Sequence, residues 1–133
     1  MTQQTAGQAG DGGAILLRNT MAFDRAHVAE FRRAILNAVE FAKRNAPQLM
    51  VQVYIDEAQG LCYSFQLFPS SEAILRHWQV SDPNIAEVMK YCEVRSMEVY
   101  GSPNDAVREG ILGSVGKASV SFTPELVGFH RLG

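Results

Sequence analysis

The residue types best suited to chemistry are concentrated between Ser70 and Tyr91, in the segment SSEAILRHWQVSDPNIAEVMKY. His77 can carry a proton near neutral pH, because the reference pKa of an imidazole is about 6.5. Trp78, the single tryptophan, can form a flat wall for a planar ligand. Each residue also has a structural alternative. His77 could simply pack at a sheet or subunit edge, and Trp78 could simply fill the core. The segment therefore predicts either one side of a small-molecule pocket or a packed helix.

Three residues outside this segment are further candidates. Asn19 shares a predicted strand face with Ile15 and Leu17, so its amide needs a partner, which is either a ligand or backbone. Tyr63 carries a hydroxyl that could orient a substrate, although core packing is the usual role of such a residue. Arg95 could hold a carboxylate or a phenolate, and a solvated or dimer-spanning ion pair is its ordinary alternative.

Metal and thiol chemistry are not favoured by the spacing of their usual ligands. Cys62 and Cys92 do not form a CxxC pair, and both are expected to act as small buried apolar residues. His27 and His130 lack carboxylates at ligand spacing, so no metal site is predicted. No apolar export segment is recognised near residue 1, and we therefore expect reduced thiols and a cytoplasmic location.

Composition excludes several classes of partner. The 133 residues include 12 basic and 14 acidic side chains, with no basic block, which argues against nucleic acid or an anionic membrane as the main partner. The apolar runs are too short for a transmembrane helix. Residues 1–13, MTQQTAGQAGDGG, are predicted to be a flexible tail, and residues 14–133 a single domain.

Hydrophobic periodicity predicts the elements that must position these residues. Asp24 is expected to cap a long helix that Pro47 ends, and an Asp-Pro break at residues 81–83 is expected to divide the chemical segment into two helices. The predicted strands cover 14–23, 49–55, 61–68, 93–100 and 118–122, and the predicted helices cover 25–45, 72–79, 83 onward and 104–112.

This order predicts an α+β, ferredoxin-like split βαβ fold over residues 14–101, with an antiparallel sheet and helices on one face. Residues 102–133 would form a helix-strand extension. The other face of the sheet needs cover, and two copies can supply it by packing their sheets into a dimeric α/β barrel. A homodimer is therefore expected.

The segment also resembles a recurring segment of the antibiotic-biosynthesis monooxygenase family of dimeric α/β barrels. The matching positions are Ser71, Glu72, Ala73, His77, Ser81 and Pro83. The resemblance implies a cofactor-independent monooxygenase that acts on a planar aromatic or quinol-like substrate. It implies His77 and Asn19 as catalytic residues and Trp78 and Tyr63 as substrate-binding residues, to which Arg95 is added from its charge. The tail from Glu125 to Leu132 is similar to a C-terminal extension of some members.

Two alternatives to oxygenation follow from the same resemblance. Haem-degrading members carry an Asn and a Trp that Asn19 and Trp78 match, but their iron-ligating His falls near Val88, which cannot ligate iron. Haem degradation is therefore disfavoured. The other alternative is a ligand-binding or structural homodimer without catalysis, because a fold does not fix a function.

Overall fold

The computed structural model describes residues 13–131, so the predicted N-terminal tail lies outside the described residues except for Gly13. Within these residues, three α-helices and five strands follow one another. The strands are β1 (Ile15–Phe23), β2 (Met50–Asp56), β3 (Leu61–Phe68), β4 (Cys92–Tyr100) and β5 (Ser119–Thr123), and the helices are α1 (Val28–Asn45), α2 (Ser71–Val88) and α3 (Asp105–Ser114).

All five strands form one sheet in the order β2-β3-β1-β4-β5. The first four pair antiparallel, and β5 adds to β4 in parallel. The core residues of the helices pack on one face of this sheet. The predicted α+β ferredoxin-like fold is thus confirmed, and the helix-strand extension lengthens an otherwise antiparallel sheet by one parallel strand.

The start of α1 agrees with the predicted cap but not with the predicted helix type. The Asp24 carboxylate accepts a hydrogen bond from the backbone amide of Ala26, as expected of an N-cap. A single 3-10 turn, Arg25–His27, precedes the α-helix, which begins at Val28. Tight turns of this kind are frequent at helix ends, where the first amides lack helical partners.

The predicted break in the chemical segment is wrong, because α2 is continuous and contains Pro83. Proline inside a helix removes one hydrogen bond and costs about 3 kcal/mol. The helix nevertheless presents one unbroken inward face, which includes Ile74, His77, Ser81 and Val88. Burial of that face outweighs the local penalty, and Ser70 caps the helix at its first turn.

The alternation of faces that is usual along a strand fails at Arg95 of β4. Thr20 of β1 lies opposite Ser96 and Met21 lies opposite Val94, so Arg95 is the extra residue of a β-bulge. The bulge turns Val94 to the helix side of the sheet, where it packs against the core. A strict period of two would place Val94 and Ser96 on the same face.

The core consists of two apolar clusters that lie side by side on the sheet. One packs beneath α2 and α3 and includes Leu17 of β1, and the other packs beneath α1 and includes Met21 of β1. Asn19 lies between these two residues on the strand and belongs to neither cluster. A polar side chain therefore lies at the boundary between the two clusters, on the helix side of the sheet.

Among the described residues, no helix combines the length and the apolar character that crossing a bilayer would require.

Candidate functional site

A pocket of about 120 Å³ occupies the boundary between the two clusters, enclosed by the sheet, α1 and α2. We call it the inner pocket. Its walls are apolar side chains of α1, β2 and the end of α2. Its polar lining consists of Asn19, Gln48, Ser64, Gln66 and His77.

Separate elements bring these polar groups together. Asn19 lies at the middle of β1, directly opposite Ser64 of β3. Gln66 follows two residues later on the same face of β3, as the strand period requires. Gln48 precedes β2, and His77 projects from the second turn of α2. One rigid sheet and one capped helix therefore fix the positions of the groups.

A chain of hydrogen bonds joins four of these residues. Gln48 Nε2 lies 3.2 Å from His77 Nδ1 and 3.1 Å from Gln66 Oε1, and Gln66 Nε2 lies 3.2 Å from Ser64 Oγ. With Gln48 as the donor, Nδ1 accepts and the imidazole proton resides on Nε2. The same heavy-atom positions permit the reverse chain, in which both amides are rotated and His77 donates to Gln48. The network can therefore accommodate either tautomer of His77.

Two acceptor atoms of the inner pocket have no hydrogen-bond partner in the described part of the chain. With Gln48 as the donor they are Asn19 Oδ1 and Gln48 Oε1, and both are fully buried. In the reverse chain Gln48 Oε1 accepts from His77, and Asn19 Oδ1 alone of the two remains without a partner. A buried polar atom without a partner costs about 1–3 kcal/mol. The pocket therefore suits a ligand that can donate hydrogen bonds, such as one with a hydroxyl group.

His77 is 9% exposed, and burial lowers the pKa of its imidazole below the usual 6.5. Its ring lies against Phe68, with the ring centroids 5.6 Å apart. A charged imidazole would be poorly solvated there, so His77 is neutral at pH 7. In the reverse chain, where Nδ1 donates to Gln48, the unprotonated Nε2 of this neutral imidazole can accept a proton from a bound hydroxyl.

Trp78 does not line the inner pocket. The indole is half-buried and packs against the cluster beneath α2 and α3. A Cβ atom placed on Gly110 of α3 would lie only 2.5 Å from Trp78 Cζ3, so the two helices meet at van der Waals contact there. The structure thus places Trp78 between α2 and α3.

Tyr63 and Arg95 also lie away from the inner pocket. Tyr63 faces the side of the sheet opposite the helices, where the Arg18 guanidinium lies 5.5 Å from the centroid of its ring. Arg95 is exposed at the bulge, with Nε 3.3 Å from a carboxylate oxygen of Glu93. Of the five residues chosen from the sequence, the structure brings together His77 and Asn19 only.

The sequence-based selection missed Gln48, Ser64 and Gln66. Ser64 and Gln66 interrupt the apolar face that Cys62 and Phe68 continue on β3, and this interruption was a readable signal. Gln48 follows Pro47 in a connecting segment, where a polar residue is ordinary. Its role depends on the docking of α2 over β3, which local sequence does not specify.

Haem, metal and thiol chemistry each have little support in the described residues. Val88, at the position of the haem ligand in the resemblance, is buried and lines the inner pocket with an apolar side chain. No group of three or more His, Cys, Asp and Glu side chains gathers within residues 13–131. Burial raises the pKa of both Cys62 and Cys92 to about 11, so both thiols are protonated at neutral pH.

Fold and site together define a ferredoxin-like α+β protein with a small pocket between sheet and helices. No protein-family model and no curated protein matches the chain. Among solved structures, MupZ from Pseudomonas fluorescens is 12% identical, with a TM-score of 0.72 over 90% of this chain and 96% of that one. A candidate antibiotic biosynthesis monooxygenase from Caulobacter crescentus CB15 is 23% identical, with a TM-score of 0.54 over 59% and 77%.

SnoaB from Streptomyces nogalater, a cofactor-independent oxygenase, is 9% identical, with a TM-score of 0.57 over 70% of this chain and 96% of that one. The predicted resemblance to antibiotic-biosynthesis monooxygenases is therefore confirmed at the level of the fold. Identities this low establish no more than the fold, so the reaction has to be argued from the site itself.

Proposed function

We propose that this protein binds a neutral hydroxyarene in the inner pocket and catalyses its oxidation by O₂ without a cofactor. One observation carries the proposal: a buried, neutral His77 and the unpartnered acceptor Asn19 Oδ1 line the same pocket, whose remaining walls are mostly apolar. The fold shared with a cofactor-independent oxygenase supports it.

The proposed chemistry requires deprotonation and exclusion of water. The hydroxyl of the ligand first donates to Asn19 Oδ1. In the reverse hydrogen-bond chain, where His77 Nδ1 donates to Gln48, the unprotonated Nε2 of His77 then removes its proton. The resulting aryloxide is electron-rich and reduces O₂ directly, while the apolar walls keep water from competing. For 1-naphthol, one oxygen atom enters the ring carbon para to the hydroxyl. The other oxygen leaves as water with the two displaced hydrogens, and 1,4-naphthoquinone remains.

Phenol binding tests the site itself. We expect Asn19→Leu and Gln48→Leu each to weaken phenol binding about 5- to 10-fold, because one hydrogen bond contributes about 1 kcal/mol. Isothermal titration or NMR titration would measure the dissociation constants. Asn37→Leu, the same type of change at an exposed position of α1, serves as the control. Phenol binding that is unchanged or tighter in both pocket variants would contradict the assignment.

Oxygen consumption by the wild-type protein with 1-naphthol separates an enzyme from its non-catalytic alternative. With ¹⁸O₂, the proposal requires one labelled atom in the quinone and one in water. Phenol binding without any oxygen uptake above the uncatalysed rate would instead favour a ligand-binding protein.

We further propose that the protein is a homodimer joined through the sheet face opposite the helices, which we call the open face. Tyr54 and Tyr100 are exposed there, and Arg18 and Glu98 form an ion pair with N and O atoms 3.3 Å apart. Exposed apolar and aromatic surface of this kind is typical of interfaces. A two-fold axis would bring the same patch of each copy together.

The C-terminal arm, residues 124–131, supports the same interface. Leu126 is 95% exposed and Phe129 is 80% exposed. The arm leaves a cavity of about 690 Å³ between itself and the open face, lined in part by Leu16, Leu67 and Tyr100. A second copy would fill this cavity and cover the apolar side chains of the arm.

A double substitution, Leu126→Ser with Phe129→Ser, is expected to weaken dimerisation at least 100-fold. Burying each such side chain contributes about 1.5–3 kcal/mol, and two-fold symmetry doubles each loss. Light scattering across a dilution series would measure the effect. Leu36→Ser, at a 68% exposed position of α1, is the control that leaves the open face intact. A wild-type protein that stays monomeric at high concentration would refute the dimer.

A further inference from the structure

We infer that Arg18 and Glu98 fix how two copies of this chain dock, with Arg18 of each copy paired to Glu98 of the other. The inference rests on the proposed homodimer, since it names the contact at the centre of the same interface. Its evidence is the placement of charge on the open face and the atoms of these two side chains that lack partners.

Strand pairing places the two residues at the centre of the open face. β1 is the middle strand of the sheet, and Arg18 lies directly opposite Phe65 of β3 and Glu98 of β4. Parallel rows of side chains pass through Leu16 and Thr20, the neighbouring residues of β1 on this face. Across all strands of the described sheet, these three rows contain no charged residue other than Arg18 and Glu98. The centre of the open face therefore carries one positive and one negative group side by side among uncharged residues.

The two charges extend from different strands, and aromatic rings hold the positive one. The Arg18 guanidinium lies 5.5 Å from the ring centroid of Tyr63 and 6.0 Å from that of Phe65, both on β3. Aromatic rings attract a guanidinium at this distance, so the positive charge is held toward β3. The carboxylate of Glu98 extends from β4, on the other side of β1. The open face is therefore positive toward β3 and negative over β4.

The ion pair is incomplete within one copy. Arg18 Nη1 lies 3.3 Å from Glu98 Oε1 without the geometry of a hydrogen bond, and neither Arg18 Nε nor Glu98 Oε1 has a hydrogen-bond partner among residues 13–131. The two side chains are still 39% and 29% exposed, so a second copy can reach both charged groups. Covering them with an apolar surface would leave two charges poorly solvated and their hydrogen bonds unmade. The surface that covers this pair must therefore supply opposite charges.

Two-fold symmetry decides which groups meet when the open face packs against its own copy. Such an interface brings the same patch of both copies together. If the axis passed through Arg18, two guanidinium groups would meet, and like charges across an interface are strongly unfavourable. If the axis runs between β1 and β4, roughly along the strands, each guanidinium meets the carboxylate of the other copy. Of these two arrangements, the second pairs all the charges, and it fixes the position of one sheet over the other.

Charge reversal at single positions tests the exchange of partners. Arg18→Glu would bring acidic groups of both copies together, and Glu98→Arg would do the same with basic groups, so each variant alone is expected to dimerise at least about 100-fold more weakly than wild type. An equal mixture of the two is expected to form a mixed dimer with a dissociation constant within about 10-fold of the wild-type value. Native mass spectrometry distinguishes this dimer from both homodimers. Arg44→Glu, the same change in an exposed ion pair of α1, is the control and should leave dimerisation unchanged.

The double reversal, Arg18→Glu with Glu98→Arg in one chain, tests the position of the axis. This chain should form homodimers as strong as those of the wild type, because each reversed charge again meets its opposite. It should not form mixed dimers with the wild type, since Arg18 of the wild-type copy would then face the new arginine at position 98. Mixed dimers at the statistical proportion would overturn the inference. Because the double reversal restores opposite charges within each copy, it provides the test even if a single reversal fails to fold.

The outcomes separate this inference from the proposed homodimer. If the wild type is dimeric and both single reversals dimerise as strongly, the exchange of ion pairs is refuted and the dimer itself remains. If the wild type stays monomeric at high concentration, the proposed homodimer fails and the inference fails with it. Circular dichroism of each variant would confirm that a loss of dimer is not a loss of fold.

Discussion

His77→Gln is expected to lower the turnover of 1-naphthol by about 10²- to 10⁴-fold, the usual loss when a positioned general base is removed. Glutamine retains the ability to hydrogen-bond with Gln48 but cannot accept a proton at neutral pH. The loss should therefore appear in kcat, while the dissociation constant of phenol changes little. Oxygen uptake under single-turnover conditions would measure the chemical step. A variant that keeps the wild-type rate would exclude His77 as the base.

The pH profile of the wild type provides the matching check. Because burial lowers the pKa of His77 below 6.5, the imidazole remains neutral in the folded protein at a pH where a free histidine is already protonated. The rate should thus hold steady through pH 6.5 and decline only as the pH falls through the lowered value. A decline centred above 6.5 would contradict the role of burial.

The free energy of unfolding should depend on pH through the same group. The unfolded state takes up a proton on His77 near pH 6.5, while the folded state does so only at lower pH. Stability is therefore complete above pH 6.5 and is lost as the pH falls from there toward the folded pKa. The exposed His27 acts in the opposite sense, since the Asp24 carboxylate raises its pKa. His77→Gln retains the His27 contribution, so the difference between wild type and variant isolates His77.

Gly110→Ala is expected to destabilise the protein by about 1–3 kcal/mol, as overpacking of a close contact does. The added Cβ would lie 2.5 Å from Trp78 Cζ3 and 2.8 Å from Cη2, so α3 and the indole would have to move apart. Chemical denaturation followed by the fluorescence of the single tryptophan would measure the change. The same signal reports on the displaced contact.

Gly113→Ala is the matched control on the same helix. A Cβ at that position would meet no atom within 4 Å, and alanine is the better helix former by up to about 1 kcal/mol. The two substitutions should therefore change stability in opposite directions. If Gly110→Ala also stabilised the protein, the contact between Trp78 and α3 would be looser than the structure indicates.

The sequence predicted those parts of the fold whose local patterns agree with tertiary structure. The apolar spacing of α1, the alternation of β3 and the cap at Asp24 each point to one conformation, and the structure has all three. His77 and Asn19 could be found because a polar residue in an apolar pattern is visible in the sequence. Gln48 could not be found in the same way, because its place beside His77 is set by how α2 docks on the sheet.

The errors arose where tertiary packing outweighs a local rule. Pro83 is a helix breaker by propensity, yet the inward face of α2 remains buried on both sides of it. Arg95 disrupts the period of two because one residue of β4 has no partner on β1. Trp78 was assigned to a pocket as a flat wall for a planar ligand, but it follows His77 on one helix, where adjacent residues point about 100° apart.

Because these two neighbours point in different directions, α2 connects the inner pocket to the C-terminal extension. His77 points at the inner pocket, while Trp78, one residue later, bears on the added C-terminal helix α3. Ser71, at the start of α2, accepts a hydrogen bond from the backbone amide of Asn104, the cap of α3. The extension thus contacts the helix that carries the imidazole at two positions, Ser71 and Trp78. Substitutions in the extension could therefore change the orientation of the His77 imidazole without altering any residue that lines the pocket.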